Sequence, residues 1–181
     1  MSASRGLGRY WKARSYDDGV TMVGENVSPK ELQMTRMYDA PIEKLWKAWT
    51  DQDVVRKWWG PRGVTNPVCE VDARPGGKIN IVMRAGKELG SFSGQEWPMS
   101  GIFKEVVPMK KLVFTSQALD DVKDIVVEAE VTVHFEDLGG KTKVIVNIRV
   151  TKAGPKSEFA LRGMEAGWNQ QMDKLSEEME G

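Results

Sequence analysis

The sequence predicts an α+β domain in which a curved antiparallel sheet wraps on one long C-terminal helix, with two short helices after the first strand. Three observations predict it. Behind Gly154-Pro155 the apolar period turns helical and stays so to about Met179. From residue 68 to residue 150, apolar and polar side chains alternate in strand-length runs joined by tight turns. Before those runs, a tryptophan-heavy segment from Ile42 to Trp49 has helical spacing and leads on to Trp58-Trp59-Gly60-Pro61. A sheet with one wet face buries the other, and the long helix is the element long enough to cover it.

Residues 1–30 carry no sustained apolar period and hold Gly6, Gly8, Gly19, Gly24 and Pro29. They are read as a partly disordered N-terminal extension, with Tyr10 and Trp11 as its candidate anchors; the folded domain spans 31–181. Residues 32–38 form a first strand with Leu32, Met34 and Tyr38 on one face. Asp39 then caps a helix that takes Pro41 in its first turn and aligns Ile42, Leu45, Trp46 and Trp49 on one stripe. Asp51 opens a second short helix through Val54, Val55 and Trp58, stopped by Gly60-Pro61.

Cys69, Val71 and Ala73 alternate with Glu70, Asp72 and Arg74, and Ile79, Ile81 and Met83 resume the alternation. The turn between them, Arg74-Pro75-Gly76-Gly77, has the proline-then-glycine order of a type II turn, so 68–83 is a hairpin. Gly86, Gly90 and Gly94 mark residues 85–95 as a mobile loop. Residues 97–107, 112–118, 125–135 and 142–150 supply four more strands, and the short links at 108–111 and 137–141 make neighbours antiparallel. Along 125–135, Val127, Ala129, Val131, Val133 and Phe135 face one way, and Glu128, Glu130, Thr132 and His134 the other. In the last helix, Ala160, Met164, Trp168, Met172, Leu175 and Met179 form one stripe with Gly163 and Gly167 beside it. A helix-interior glycine costs about 1 kcal/mol against alanine. Two on one flank predict close approach to the sheet, or space left beside it.

Composition narrows function. Lys and Arg number 26 and Asp and Glu number 26 in 181 residues, so no global charge favours nucleic acid or an anionic membrane. The single cysteine, Cys69, rules out an internal disulfide and fits a reducing compartment. With one histidine beside it, no zinc set is expected. No apolar run approaches the roughly 20 residues of a membrane span, and residues 1–12 have no signal-peptide core. The arginine-rich start reads as a solvated tail. A cytoplasmic location without membrane insertion is predicted. Gly139-Gly140-Lys141-Thr142 resembles the tail of a phosphate loop, but Phe135 stands where its first glycine belongs and a strand follows. No metal and no cofactor is expected.

The order strand, two short helices, six strands, long helix resembles the helix-grip arrangement (START/Bet v-like) of the START-like, or SRPBCC, superfamily. Within it the chain resembles the family named for the activator of the heat-shock protein ninety ATPase, in its single-domain bacterial form. The residues that carry this are Asp39-Ala40-Pro41-Ile42-Glu43-Lys44-Leu45-Trp46, Trp58-Trp59-Gly60-Pro61, Cys69 to Gly77, Leu112-Val113-Phe114-Thr115, and Gly163-Met164 with Gly167-Trp168. They run in order from about Leu32 to the end. The larger eukaryotic activators carry an additional chaperone-binding domain, for which 181 residues leave no room.

The resemblance implies an apolar cavity between sheet and C-terminal helix. Its candidate lining is Trp168, Met164, Met172, Gly163, Gly167 and Gln171 from the helix, with Ile81, Met83, Phe114, Val131 and Val133 from the sheet. Trp58, Trp59 and Trp97 are candidates for its mouth, although Trp46, Trp49, Trp58 and Trp59 also suit a core closing the end of the sheet. The expected function is non-covalent binding of a small hydrophobic molecule, with Gln171 orienting it. The alternatives are a protein-interaction module with a chaperone partner, and a cyclase or dehydratase of the kind some superfamily members are. No catalytic residue is assigned. Glu70 and Asp72 share a polar face and are read as a solvated ion pair with Arg74 or Arg84. His134 alternates with buried Val133 and Phe135 and so faces out. Cys69 falls on the buried phase, as a small hydrophobe.

Overall fold

The computed structural model describes residues 30–181; the expectations for the extension, Tyr10 and Trp11 included, lie outside the described residues. Strand β1 (Glu31–Tyr38) leads into helices α1 (Ile42–Thr50) and α2 (Gln52–Trp58). Strands β2 (Val64–Val71), β3 (Lys78–Ala85), β4 (Glu96–Val107), β5 (Lys111–Leu119), β6 (Ile125–Asp137) and β7 (Thr142–Ala153) follow, and α3 (Glu158–Glu180) ends the chain. The strands form one seven-stranded sheet in the order β1-β7-β6-β5-β4-β3-β2, every pair antiparallel. The α1–α2 pair therefore carries the chain from one sheet edge to the other. All three helices pack on the same face.

The alternation along β6 decides which face that is. Val131 and Val133 are fully buried, while Glu130, Thr132 and His134 are only half-buried on the outer side. Register shifts at Thr65/Val68, Phe103/Glu105, Ala118/Leu119 and Glu128/Ala129 bend the sheet round the helices. Pro67 falls within one of these shifts, on an edge strand, where a missing N–H is tolerated. In the β2–β3 turn Gly76 sits at φ 81° and the Gly77 amide donates to the Arg74 carbonyl at 2.7 Å. That is the type II geometry the sequence predicts.

Three local expectations are corrected. Residues 85–95 are not irregular throughout: Lys87–Phe92 holds two short 3-10 turns that meet at a kink at Gly90 (φ 58°), and Leu89 is buried. Backbone bonds from Gly86 to Gly63 (2.7 Å) and from Gly94 to Ala85 (2.8 Å) close it, so one apolar anchor outweighs three glycines. Asp39 is not the α1 cap. Pro41 is, with no side-chain bond, because a residue before proline is driven out of the helical region. The third concerns α3, which starts at Glu158 rather than Pro155. Gly154 donates to Val126 (2.9 Å) and Ser157 to Gly154 (3.0 Å), which makes 154–157 a turn. No helix among the described residues is long and apolar enough to cross a membrane.

Candidate functional site

The layer between sheet and α3 is filled at one end and hollow at the other, and side-chain size along two strands explains why. On the inner face, β5 and β6 pair Leu112 with Val133, then Phe114 with Val131, then Ser116 with Ala129, then Ala118 with Val127. Bulk gives way to small side chains in one direction. On α3 the corresponding change is from Met172, Leu175 and Met179, all buried, to Ala160, Met164 and Gly167. Small residues thus face small residues, and the backbones, held apart by the bulky end, cannot close the gap.

At the filled end, Trp49 meets Trp58 edge-to-face with centroids 4.8 Å apart, and Trp46 meets Phe135 at 5.3 Å. Trp58 is fully buried and donates to the Ala48 carbonyl at 2.9 Å. Lys44 of α1 ties down the last turn of α3 through the Met179 carbonyl (2.7 Å). The partition between the two ends is Trp59, in contact with Trp168 (5.8 Å) and with Phe114 (6.4 Å).

Beyond that partition lies a cavity of about 260 Å³. Its sheet wall is Met83, Trp97, Met99, Ser116, Ala118, Leu119, Val127, Ala129, Val131 and Ile148; its helix wall is Ala160, Met164, Gly167, Trp168 and Gln171. Phe159 and Lys156 stand at the exposed rim, and Lys156 pairs with Asp120 at 2.8 Å. Asp120 also accepts the amides of Val122 (3.0 Å) and Asp124 (2.9 Å), so the β5–β6 turn is held to the lead-in of α3. The hydrogen bond that Lys156 donates to Asp120 raises the Lys156 pKa and keeps it a cation.

Gln171 is the polar side chain set into the inner wall, 5% exposed. Its Oε1 accepts the Gly60 amide at 2.7 Å. Gly60 adopts φ 85°, and a Cβ there would meet Met83 Sδ at 2.7 Å and Val64 Cγ2 at 2.8 Å, so only glycine fits. Because that amide can only donate, the Gln171 oxygen must face it and Nε2 must point away. Nε2 is buried and finds no acceptor among the described residues.

The rest of the Trp59–Arg62 loop is clamped to α3. Lys174 Nζ donates to the carbonyls of Trp59 (3.3 Å), Gly60 (3.2 Å) and Pro61 (3.4 Å). The Arg62 amide donates to Gln170 (3.0 Å), and its guanidinium pairs with Glu177. Burial, with help from the Arg62 charge, pushes the Lys174 pKa down to about 8. Together with Lys57, Gly63, Val64 and Glu178 these groups edge a second, polar cleft of about 200 Å³.

The candidates named from sequence divide accordingly. Trp168, Met164, Gly167, Gln171, Met83 and Val131 line the cavity, as do Trp59 and Trp97. Met172, Ile81, Phe114, Val133 and Trp58 lie in the packed core and do not line it. Gly163 is buried on α3 outside the lining. Ser116, Ala118 and Ala129 were not anticipated, although the falling side-chain size along β5 and β6 is a readable signal for them. Nothing in the sequence points to Lys156. Asp72 pairs with Arg74 at 2.7 Å, but Glu70 accepts from Asn80 (3.1 Å) instead, since Arg84 is taken by Glu96 (3.0 Å). Cys69 is buried, and burial raises its thiol pKa to about 11, the opposite of an activated nucleophile. Among the described residues, no group of three or more His, Cys, Asp or Glu side chains could hold a metal ion.

An antiparallel sheet closed on one long helix over an apolar cavity defines a helix-grip protein. The chain belongs to the family described as Activator of Hsp90 ATPase homolog 1-like protein, which it matches over residues 39–180. The crystal structure of the AHSA1 protein from Silicibacter pomeroyi is similar at 26% identity, over 83% of this chain and 97% of that one, with a TM-score of 0.68. A protein from Nitrosomonas europaea is 24% identical over 81% of this chain and 92% of its own, with a TM-score of 0.65. A solution structure from Arthrobacter aurescens is 20% identical over 83% and 86%, with a TM-score of 0.69. The last two show the fold alone. No curated protein matches the chain by sequence.

Proposed function

We propose that this protein binds a compact hydrophobic molecule, non-covalently, in the cavity between the sheet and α3. The observation that carries the reading is the cavity itself. It holds about 260 Å³, just under the roughly 300 Å³ at which drug-sized sites begin. Burial there yields about 25 cal/mol per Å² of apolar surface. Membership of a family with a ligand-binding fold supports the same reading.

The lining favours binding over proton-transfer chemistry. Among the described residues it contains no carboxylate, histidine or thiol, and Lys156 is held as a cation by Asp120. A docking role for the sheet has less support. Exposed Met37 and Ile102 stand on β1 and β4, with three strands between them, rather than in one patch.

The test is an apolar fluorescent probe titrated into the parent and into Ala129→Leu, alongside mass spectrometry of the protein purified under native conditions. In an ordinary core the added bulk costs 1–3 kcal/mol; here it should cost less than about 1 kcal/mol and abolish probe binding. Equal probe binding by both proteins, or none by either, would overturn the proposal.

A further inference from the structure

We propose, resting on that reading, that the cavity selects an uncharged molecule bearing a carbonyl oxygen, and that Gln171 Nε2 is the group that receives it. Three observations lead there. The first is orientation. Glutamine amides can ordinarily turn either way, but the Gly60 amide at 2.7 Å admits only Oε1. The –NH₂ group is therefore aimed by the backbone rather than by chance.

The second observation is that this donor is unsatisfied. Gln171 is 5% exposed, lines the cavity, and has a buried Nε2 with no acceptor among the described residues. Buried donors are almost always paired. A side chain whose only task was to accept from Gly60 would not need a second, stranded polar end. An oxygen on the ligand completes it.

The third is charge. Among the described residues, Lys156 is the one ionisable side chain in the lining, and Asp120 pairs with it at 2.8 Å on the exposed rim. A carboxylate carried inward to Gln171 would lose its water and gain one neutral hydrogen bond, a poor exchange for an anion. A ketone, ester or lactone oxygen loses far less. Ser116, the hydroxyl side chain among the described lining residues, can donate or accept and so does not discriminate. Gln171 does, because with Oε1 occupied it offers only a donor.

The experiment uses three probes on one skeleton: acetophenone, ethylbenzene and benzoate. Dissociation constants are measured for the parent and for Gln171→Glu, which keeps the acceptor for Gly60 and removes the amide donor. In the parent, acetophenone should bind roughly tenfold tighter than ethylbenzene, about one good hydrogen bond, and benzoate weaker than either. In Gln171→Glu the ratio of acetophenone to ethylbenzene affinity should fall to about one, whatever happens to the affinity for ethylbenzene itself. Should the variant not fold, the side-chain amide NMR signals of Gln171 in the parent decide: acetophenone should move them downfield, as a new hydrogen bond does, relative to the ring-current shift that ethylbenzene alone produces. If ketone and hydrocarbon bind the parent equally, or the preference survives in Gln171→Glu, Gln171 merely anchors Gly60 and this inference falls while the cavity reading stands. If benzoate binds tightest, the ligand is an anion met at Lys156, and the uncharged class is wrong. If none of the three binds, the cavity reading fails and takes this inference with it.

Discussion

The two ends of the sheet–helix layer are built from the same chain elements and do opposite things. Where Met172, Leu175 and Met179 face the α1–α2 tryptophans and Phe135, the space is filled and the rings meet at 4.8 to 6.5 Å. Where Met164, Gly167 and Trp168 face Ser116, Ala118 and Ala129, a cavity of about 260 Å³ remains. The helix is continuous across both, so the hollow is not a defect of the helix. It comes from side-chain size, which falls along the inner face of the sheet and, at Ala160 and Gly167, along α3 as well. Packed bulk is concentrated at one end and open space at the other.

The sharpest way to break this comparison is at the filled end. Trp58 is fully buried, with its indole nitrogen bonded to Ala48. Trp58→Ala should cost about 3–5 kcal/mol by denaturant unfolding, several times the cost of Ala129→Leu at the hollow end. Comparable costs at the two ends would mean that both are ordinary core.

Lys174 clamps the loop between the two ends, and its effect depends on pH. Its folded pKa, about 8, lies below the usual 10.5, so the folded state binds fewer protons than the unfolded chain between those values. Stability attributable to Lys174 should therefore rise as pH increases from about 8 to 10.5. Solvent screening of a part-buried amine holds the gain to roughly 1–2 kcal/mol. Cys69 and Tyr38 pull the other way, because burial raises both pKa values and alkaline pH charges them first in the unfolded chain. The measurement is thus the difference between the parent and Lys174→Met in urea unfolding at pH 7.5 and 10. A difference independent of pH would show that the amine is solvated.

A smaller effect sharpens the hollow end. Gly167→Ala should raise stability by up to about 1 kcal/mol, the helix preference of alanine, and weaken an apolar probe by placing a methyl in the lining. Loss of stability with no change in probe affinity would assign Gly167 to close packing. His134, half-buried on the outer face of the sheet, belongs to neither end. His134→Gln should shift unfolding by less than about 0.5 kcal/mol and leave probe binding alone; any loss of binding would place a functional surface outside the cavity.

Met164 and Met172 show how far the sequence could be read. They are the same residue type, two helical turns apart on one apolar stripe, and both were candidate cavity residues. Met164 lines the cavity; Met172 is fully buried against the Tyr38 hydroxyl, 3.7 Å from its sulfur. The stripe says which face of α3 is covered but not what covers it. Phe114 and Val133 are likewise on the inner face but outside the lining, Phe114 behind Trp59 and Val133 beyond it, because a strand's alternation has no origin along its length. Residues 85–95 misled for a related reason: glycines were counted, while the burial of Leu89 depends on Gly63, more than twenty residues earlier.

By itself the sequence determined which face each element buries and where its turns fall, because those causes are local. Alternation places a residue on one face of a strand, helical period selects the buried stripe of α3, and Pro75-Gly76 dictates its turn. Those rules operate within a few residues, and together they specify the element order and the inner face of the sheet. The tertiary structure decided what depends on partners far apart in the chain: which cross-strand pairs are small, that Ala129 and Gly167 line one cavity, and that Gly60 takes one end of the Gln171 amide and leaves the other unpaired among the described residues. A void and an unmatched donor are absences, and an absence exists only once every neighbour has been placed.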